Sequence, residues 1–200
     1  MLQNIEVFTT LTNNYLLIHK NGCSHVKEHL YKNFEIVEHN NSFPQNNKVN
    51  WTILRDPYDR FISGLTYDIL LQFKSLNNLD TLINESTLKS FIYKKINLRT
   101  RKNGNVNHTI AQWTYLFSQP INFIVNLKDL NKFLDIHFKT RLNSFKNETL
   151  FEHKKVIINF IEKNKILKKL IKSYCAPDYY YIEHAMNNNL FWEWQNGKIF

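Results

Sequence analysis

Residues 49–57 do most to limit the folds open to this chain. Val49-Asn50-Trp51-Thr52-Ile53-Leu54 is a short run with an apolar bias, of strand length and too short for a helix. Arg55-Asp56-Pro57 ends it. Asp56 suits a helix N-cap, Pro57 the first helical position, and Asp59 the acid of a capping box. Tyr58, Phe61, Ile62, Leu65, Ile69 and Phe73 then fall on one helical stripe. A strand that becomes a helix within three residues points to a sheet with crossover helices.

The pattern recurs along the chain. Tyr15-Leu16-Leu17-Ile18 is a strand candidate, followed by Lys20-Asn21-Gly22-Cys23-Ser24 and a helix with Val26, Leu30 and Phe34 on one face. Phe34-Glu35-Ile36-Val37 reads as a second strand, ahead of an Asn-rich loop over 39–48. Ile121-Asn122-Phe123-Ile124-Val125 is a fourth, followed by a helix through Leu130, Phe133, Leu134 and Phe138. Between them lie a helix near 86–97, an exposed basic loop with Arg99, Arg101 and Lys102, and a helix from His108 to Phe117. The chain closes with helices at about 149–172 and 178–189, parted at Pro177. The aromatic tail Phe191-Trp192-Glu193-Trp194 is expected to pack back on the body.

No repeat and no linker interrupts this order. The expectation is one domain over 1–200: an α/β, P-loop-like three-layer fold with a central, mostly parallel sheet flanked by helices. Such sheets bind ligands at the carboxyl ends of their strands, where both the Lys20 loop and Arg55 fall.

Composition narrows the partners. Hydrophobic residues make up 43% of the 200, enough for a packed core. The net charge of +9 favours anions without choosing among nucleotides, nucleic acid and acidic glycans. Two cysteines make neither a disulfide framework nor a zinc motif. Residues 1–6 lack a basic region followed by an apolar run, and no stretch approaches the roughly 18 apolar residues of a membrane span, so a soluble, cytoplasmic protein without a membrane span is expected.

The Lys20 loop suits an anion. A helix start offers unpaired N–H groups and a partial positive charge. Gly22 lets the backbone wrap closely, Ser24 can cap and donate, and Lys20 adds a full charge. A Walker A loop has its Lys after the last Gly, whereas here Lys20 precedes Gly22. Arg55 at a strand end and Ser63 two turns into the next helix could reach a shared second anion, while Arg60 fits an acid or a carbonyl better than a ligand.

Lys20-Asn21-Gly22-Cys23-Ser24-His25-Val26-Lys27 and Arg55-Asp56-Pro57-Tyr58-Asp59-Arg60-Phe61-Ile62-Ser63 together resemble the carbohydrate group of sulfotransferases, which use phosphoadenosine phosphosulfate (PAPS). That family carries K-x-G-C-[ST]-x-x-K and R-D-P-x-x-R-x-x-S in this order. The His108-Thr109-Ile110-Ala111-Gln112 segment, with Tyr174 and Asp178, is similar to weaker family features. The resemblance spans about 10–185 and implies that Lys20, Asn21, Gly22, Cys23, Ser24 and His25 form the phosphosulfate loop, its middle residues acting through backbone N–H. It implies that Arg55 and Ser63 hold the ribose phosphate, that no metal is needed, and that the acceptor is a hydroxyl, in a glycan by analogy. Where the family has an acid after the fourth strand, this chain has Lys128-Asp129.

An acceptor hydroxyl needs a general base. Glu38 and His39 follow the expected second strand and stand first, with His108 behind them, while His19 and His25 flank the loop. Two other classes compete. A P-loop phosphotransferase would need a Walker A lysine and a magnesium-binding acid, and neither is found. A nucleic-acid module would use a basic face such as Lys163, Lys165, Lys168, Lys169 and Lys172, which a solvated helix explains equally well, so no nucleic acid is expected.

Overall fold

The computed structural model describes residues 6–18, 21, 23–33, 36, 38–72, 85–97, 109–116, 119–139, 141 and 148–192. Their elements, in chain order, are β1 (Glu6–Thr9), β2 (Asn13–Leu17), α1 (Cys23–Asn33), β3 (Glu38–Asn40), β4 (Val49–Leu54), α2 (Pro57–Gln72), α3 (Glu85–Asn97), α4 (Trp113–Leu116), β5 (Phe123–Asn126), α5 (Leu130–Phe138), α6 (Glu148–Lys163) and α7 (Lys165–Asn187). The chain divides into two compact units that interleave in sequence. A sheet unit takes Leu2–Arg55, Gln112–Ser144 and Asp178–Phe200, and a helical unit takes Asp56–Ala111 and Phe145–Pro177, with Met1. Among the described residues no helix is long and apolar enough to cross a membrane.

The fold class is α/β, but the sheet is mixed rather than mostly parallel. Its order is β3-β1-β2-β4-β5. The pairs β2–β4 and β4–β5 are parallel, whereas β1 runs antiparallel to both β2 and β3. Connection length explains the departure. Three residues join β1 to β2, closed by the Thr10 N–H on the Asn13 carbonyl at 2.9 Å, and so short a link permits only an antiparallel pair. The strand expected at 34–37 is displaced: Ile36 lies outside any strand, β3 begins at Glu38, and Phe34, Glu35 and Val37 lie outside the described residues.

One face of the sheet carries Phe8, Tyr15, Leu17, Trp51, Ile53, Phe123 and Val125, alternating along their strands as the pleat requires. Val26 and Leu30 of α1 and Leu130, Phe133 and Leu134 of α5 join them in a single core. Trp192 of the aromatic tail belongs to it too, its ring 5.4 Å from that of Phe133. Leu16, Ile18, Leu54 and Ile124 point the other way and are equally buried, as expected where both faces of a parallel pair are covered.

The amino ends of these strands are closed by amides. Asn14 donates to Asn50 at 2.7 Å and to Asn46 at 2.9 Å, and accepts from the Thr9 hydroxyl at 2.9 Å. Asn122 accepts the Asn50 backbone N–H at 2.7 Å, and Asn13 accepts the Trp51 indole N–H at 3.0 Å.

The helical unit buries Phe61, Ile62, Leu65 and Ile69 of α2 with Leu88, Phe91, Ile92 and Ile96 of α3, Ile157 and Ile161 of α6, and Leu167, Ile171 and Cys175 of α7. α2 is less amphipathic than its stripe suggests. Arg60, Ser63, Thr66 and Asp68 are also buried. Asp68 is paired with Lys95 at 2.6 Å, and the Thr66 hydroxyl donates to the Ile62 carbonyl at 2.8 Å.

Two helix boundaries differ from expectation. Of the helix expected over 108–117, the described residues 109–116 contain only the four of α4, because Gln112 and Trp113 give their N–H groups to the Asp178 carboxylate at 3.0 and 2.7 Å. The break expected at Pro177 falls at Asn164 instead. Asn164 caps α7, accepting the Leu167 N–H at 3.2 Å, and α7 runs on through Pro177. Ser173, whose carbonyl loses its usual partner to the proline ring, is exposed to water.

Candidate functional site

The register aligns the carboxyl ends of three strands. Leu16 pairs with Thr52 and Leu54 with Asn126, which puts Ile18 level with Leu54. From β2 the chain goes on to β3 at one edge of the sheet, and from β4 it goes on to β5 at the other. The ends of β2 and β4 therefore flank a switch in connection direction, where open α/β sheets form ligand crevices.

Asn21 sits at this point and is fully buried. Its backbone N–H turns back to the Ile18 carbonyl at 3.3 Å. Its side-chain amide donates to the Ile53 carbonyl and to Gln112 Oε1, both at 2.7 Å. Asn21, expected in the phosphosulfate loop, uses these donors within the sheet unit. Among the described residues Asn21 Oδ1 is buried with no hydrogen-bond partner. Leaving such an oxygen unpaired costs about 1–3 kcal/mol, set against the two buried acceptors that the same amide satisfies.

Gln112 joins Asn21 to Arg55. Its Oε1 also accepts the Arg55 N–H at 3.1 Å, and its Nε2 donates to the Arg55 carbonyl at 2.8 Å. The side chain thus treats Arg55 as a neighbouring strand would, one residue past the end of β4. These backbone partners fix the carboxamide orientation of Gln112, and through it that of Asn21. Asp178, 3% exposed, holds Gln112 from behind through the backbone bond already described.

Beyond Asn21, residues Cys23, Ser24 and His25 open α1, whose first turn holds no acid. An uncompensated helix start of this length retains its partial positive charge for an anion. Lys20, Gly22 and His108 lie outside the described residues, as does the basic loop with Arg99, Arg101 and Lys102. Ser63 belongs to the helical unit, in the second turn of α2, and is 8% exposed.

Glu38 and His39 lie inside β3 rather than after a strand, with Glu38 paired to Thr9 and His39 to Phe8. Thr9 in turn faces Asn14, so Glu38 is level with Asn14, about 13 Å along the strand direction from Ile18. His39 stacks on Phe8 at 4.5 Å and faces Glu6 at 3.6 Å. The strand shift of a few residues turns two end positions into edge positions.

The rest of the Arg-Asp-Pro segment is structural, as its chemistry suggests. Asp56 accepts the Asp59 N–H at 2.8 Å as N-cap of α2. Arg60, 1% exposed, donates to the Ile110 carbonyl. Asp59 pairs with Lys154. Tyr58 bonds Glu162 at 3.4 Å, and burial, then that carboxylate, push its phenol up to about 12, so it stays neutral at ordinary pH.

An open groove of about 470 Å³ lies on α7 in the helical unit, lined by Lys165, Lys168, Lys169, Lys172, Ser173 and Ala176. Every lining residue comes from that one helix, which is the geometry of a solvated cationic face. Among the described residues no three His, Cys, Asp or Glu gather as a metal site. Compared with protein families, curated proteins and solved structures, the chain matches none.

Proposed function

We propose that this chain is a sulfotransferase that moves a sulfuryl group from PAPS to a hydroxyl acceptor, with a glycan as the acceptor class. The P-loop-like three-layer arrangement expected of that family is part of the same proposal. The observation that carries it is the junction at the carboxyl edge. Asn21 lies there ahead of α1, whose first turn holds no acid, and Gln112 ties Asn21 to Arg55. Asn21 of the first motif and Arg55, the first residue of the second, are thus joined through Gln112 within the sheet unit.

In this reading the acceptor oxygen forms a bond to sulfur as the bond from sulfur to the bridging phosphate oxygen breaks. Phosphoadenosine phosphate leaves with the electron pair. Lys20 and the N–H groups of residues 22–24 stabilise the charge on the leaving oxygen. The acceptor proton passes to a base. His39 and Glu38, with His108 behind them, are the proposed candidates, and the alanine variant of the true base should lower turnover about a hundredfold with folding intact. No metal takes part in this scheme.

Thermal shift separates the donor reading from its kinase-like rival. Stabilisation by phosphoadenosine phosphate, together with labelled sulfate transfer from PAPS to a hydroxyl in a glycan panel, is the expected result. Selective stabilisation by ATP with magnesium, and none by phosphoadenosine phosphate, would overturn it.

A further inference from the structure

We propose that Gln112 is a positioning residue for the anion loop, acting through Asn21 on one side and the Arg55 backbone on the other. Four hydrogen bonds support this. The Gln112 carboxamide takes the Asn21 amide at 2.7 Å and the Arg55 N–H at 3.1 Å, and gives its own N–H to the Arg55 carbonyl at 2.8 Å. Its backbone N–H is anchored on Asp178 at 3.0 Å. Gln112 is 1% exposed, so water does not compete for these groups.

A buried apolar residue in place of Asn21 would avoid the unpartnered Oδ1 but would take the amide donors from the Ile53 carbonyl and Gln112 Oε1. The amide pair also supplies direction. Asn21 spends both side-chain hydrogens on Ile53 and Gln112, so the residue between Lys20 and Gly22 is held at a fixed distance from the end of β4. Arg55 is held extended at the last position before the chain turns into α2. One side chain therefore sets the spacing between the two segments that a donor with two separated anionic groups would bridge. That last step rests on the donor reading above. The fixing of the loop does not.

The test uses the full chain with Q112M, Q112E, N21A and the N21A/Q112M double variant, each checked for cooperative unfolding. Hydrogen exchange without ligand reads the mechanical part. Q112M should speed exchange at the Arg55 amide and across residues 19–25 at least tenfold, while 6–9 and 123–126 keep their wild-type rates. Titration with phosphoadenosine phosphate reads the ligand part. Q112M should bind at least tenfold more weakly, and the double variant no more weakly than the worse single one, because both remove the same link. Q112E offers the matching donor and acceptor only when its carboxyl is protonated. Its affinity should therefore recover as the pH falls from about 7.5 to about 5, while the wild type changes little.

Wild-type exchange rates at 19–25 in Q112M overturn the proposal, and so do additive losses in the double variant. Should Q112M fail to fold, Q112E at the two pH values decides alone: unchanged exchange and affinity overturn the joint, and recovery in acid supports it. If the wild type ignores phosphoadenosine phosphate while Q112M still loosens 19–25, the donor reading falls and the joint stands. If wild type and Q112M bind it equally, the joint falls and the donor reading stands.

Discussion

His137 and Trp192 show how one protonation state holds a segment in place. The Trp192 indole donates to His137 Nε2 at 2.7 Å, so that nitrogen must be unprotonated. Burial, then the Lys139 ammonium, hold the His137 pKa below its ordinary value, and burial does the same to His29. A histidine whose pKa is lowered on folding binds its proton more readily in the unfolded chain. Its contribution is whole above about pH 6.5 and is lost as the pH falls through the lowered folded value. Urea midpoints should thus decline below about pH 6.5. His137→Gln, which keeps an oxygen acceptor for Trp192 without a titrating ring, should give a shallower acid slope. An unchanged slope would assign the acid sensitivity elsewhere. At this scale some residues were readable in advance. Asp56 had to cap, because local geometry offers one partner at its position, and Arg60 was expected to meet an acid or a carbonyl and meets the carbonyl of Ile110. Asn13, Asn14, Asn50 and Asn122 were not readable. An abundant residue type carries little local signal, and their amide ladder exists only once three separate segments lie side by side. Gln112 stood out only as part of a segment similar to a family feature, and its partners stayed hidden because they are 57 and 91 residues distant in the chain.

Among the elements, α7 departs furthest from its sequence pattern. Proline within a helix ordinarily ends or kinks it, yet α7 continues through Pro177. The helical stripe Leu167, Ile171, Cys175 is buried up to that point, and Asp178, just past it, has its own buried partners. Packing on both sides of the proline outweighs the lost hydrogen bond. Pro177→Ala should restore that bond and raise stability by at most about 3 kcal/mol, read from the urea midpoint. A loss of stability would mean that the ring itself packs. β1 and β3 were obscured for a different reason. Strands of four and three residues are too short to establish an alternation, so their place depends on partners the chain does not reveal locally. β4, α3 and α5 were legible because their apolar periodicity extends over whole elements.

At the scale of the molecule, the candidate site was legible as a location and not as a mechanism. The carboxyl edge follows from the strand–helix order, whereas the placement of Glu38 and His39 turned on a register that only the antiparallel β1 sets. The interleaving of the units gives a further expectation. Removal of 178–200 takes away the Asp178 carboxylate, the Leu190 carbonyl that accepts the Ile124 N–H at 2.8 Å, and Trp192. The sheet unit should then lose its cooperative unfolding, seen as loss of near-ultraviolet signal from buried Trp51, while helical circular dichroism from 56–177 largely persists. Intact Trp51 signal would refute this.

The same interleaving orders events on the ribosome. The helical unit has all its residues by Pro177, although its first helix starts only at Pro57. The sheet unit owns the earliest strand of the chain and still waits for Trp192. At a synthesis rate of about 5–20 residues per second, β1 and β2 spend on the order of ten seconds or more as an exposed hairpin before their last core residue arrives. Its turn end meanwhile carries Asn13 and Asn14, whose side-chain amides water can serve until Asn50 and Trp51 arrive.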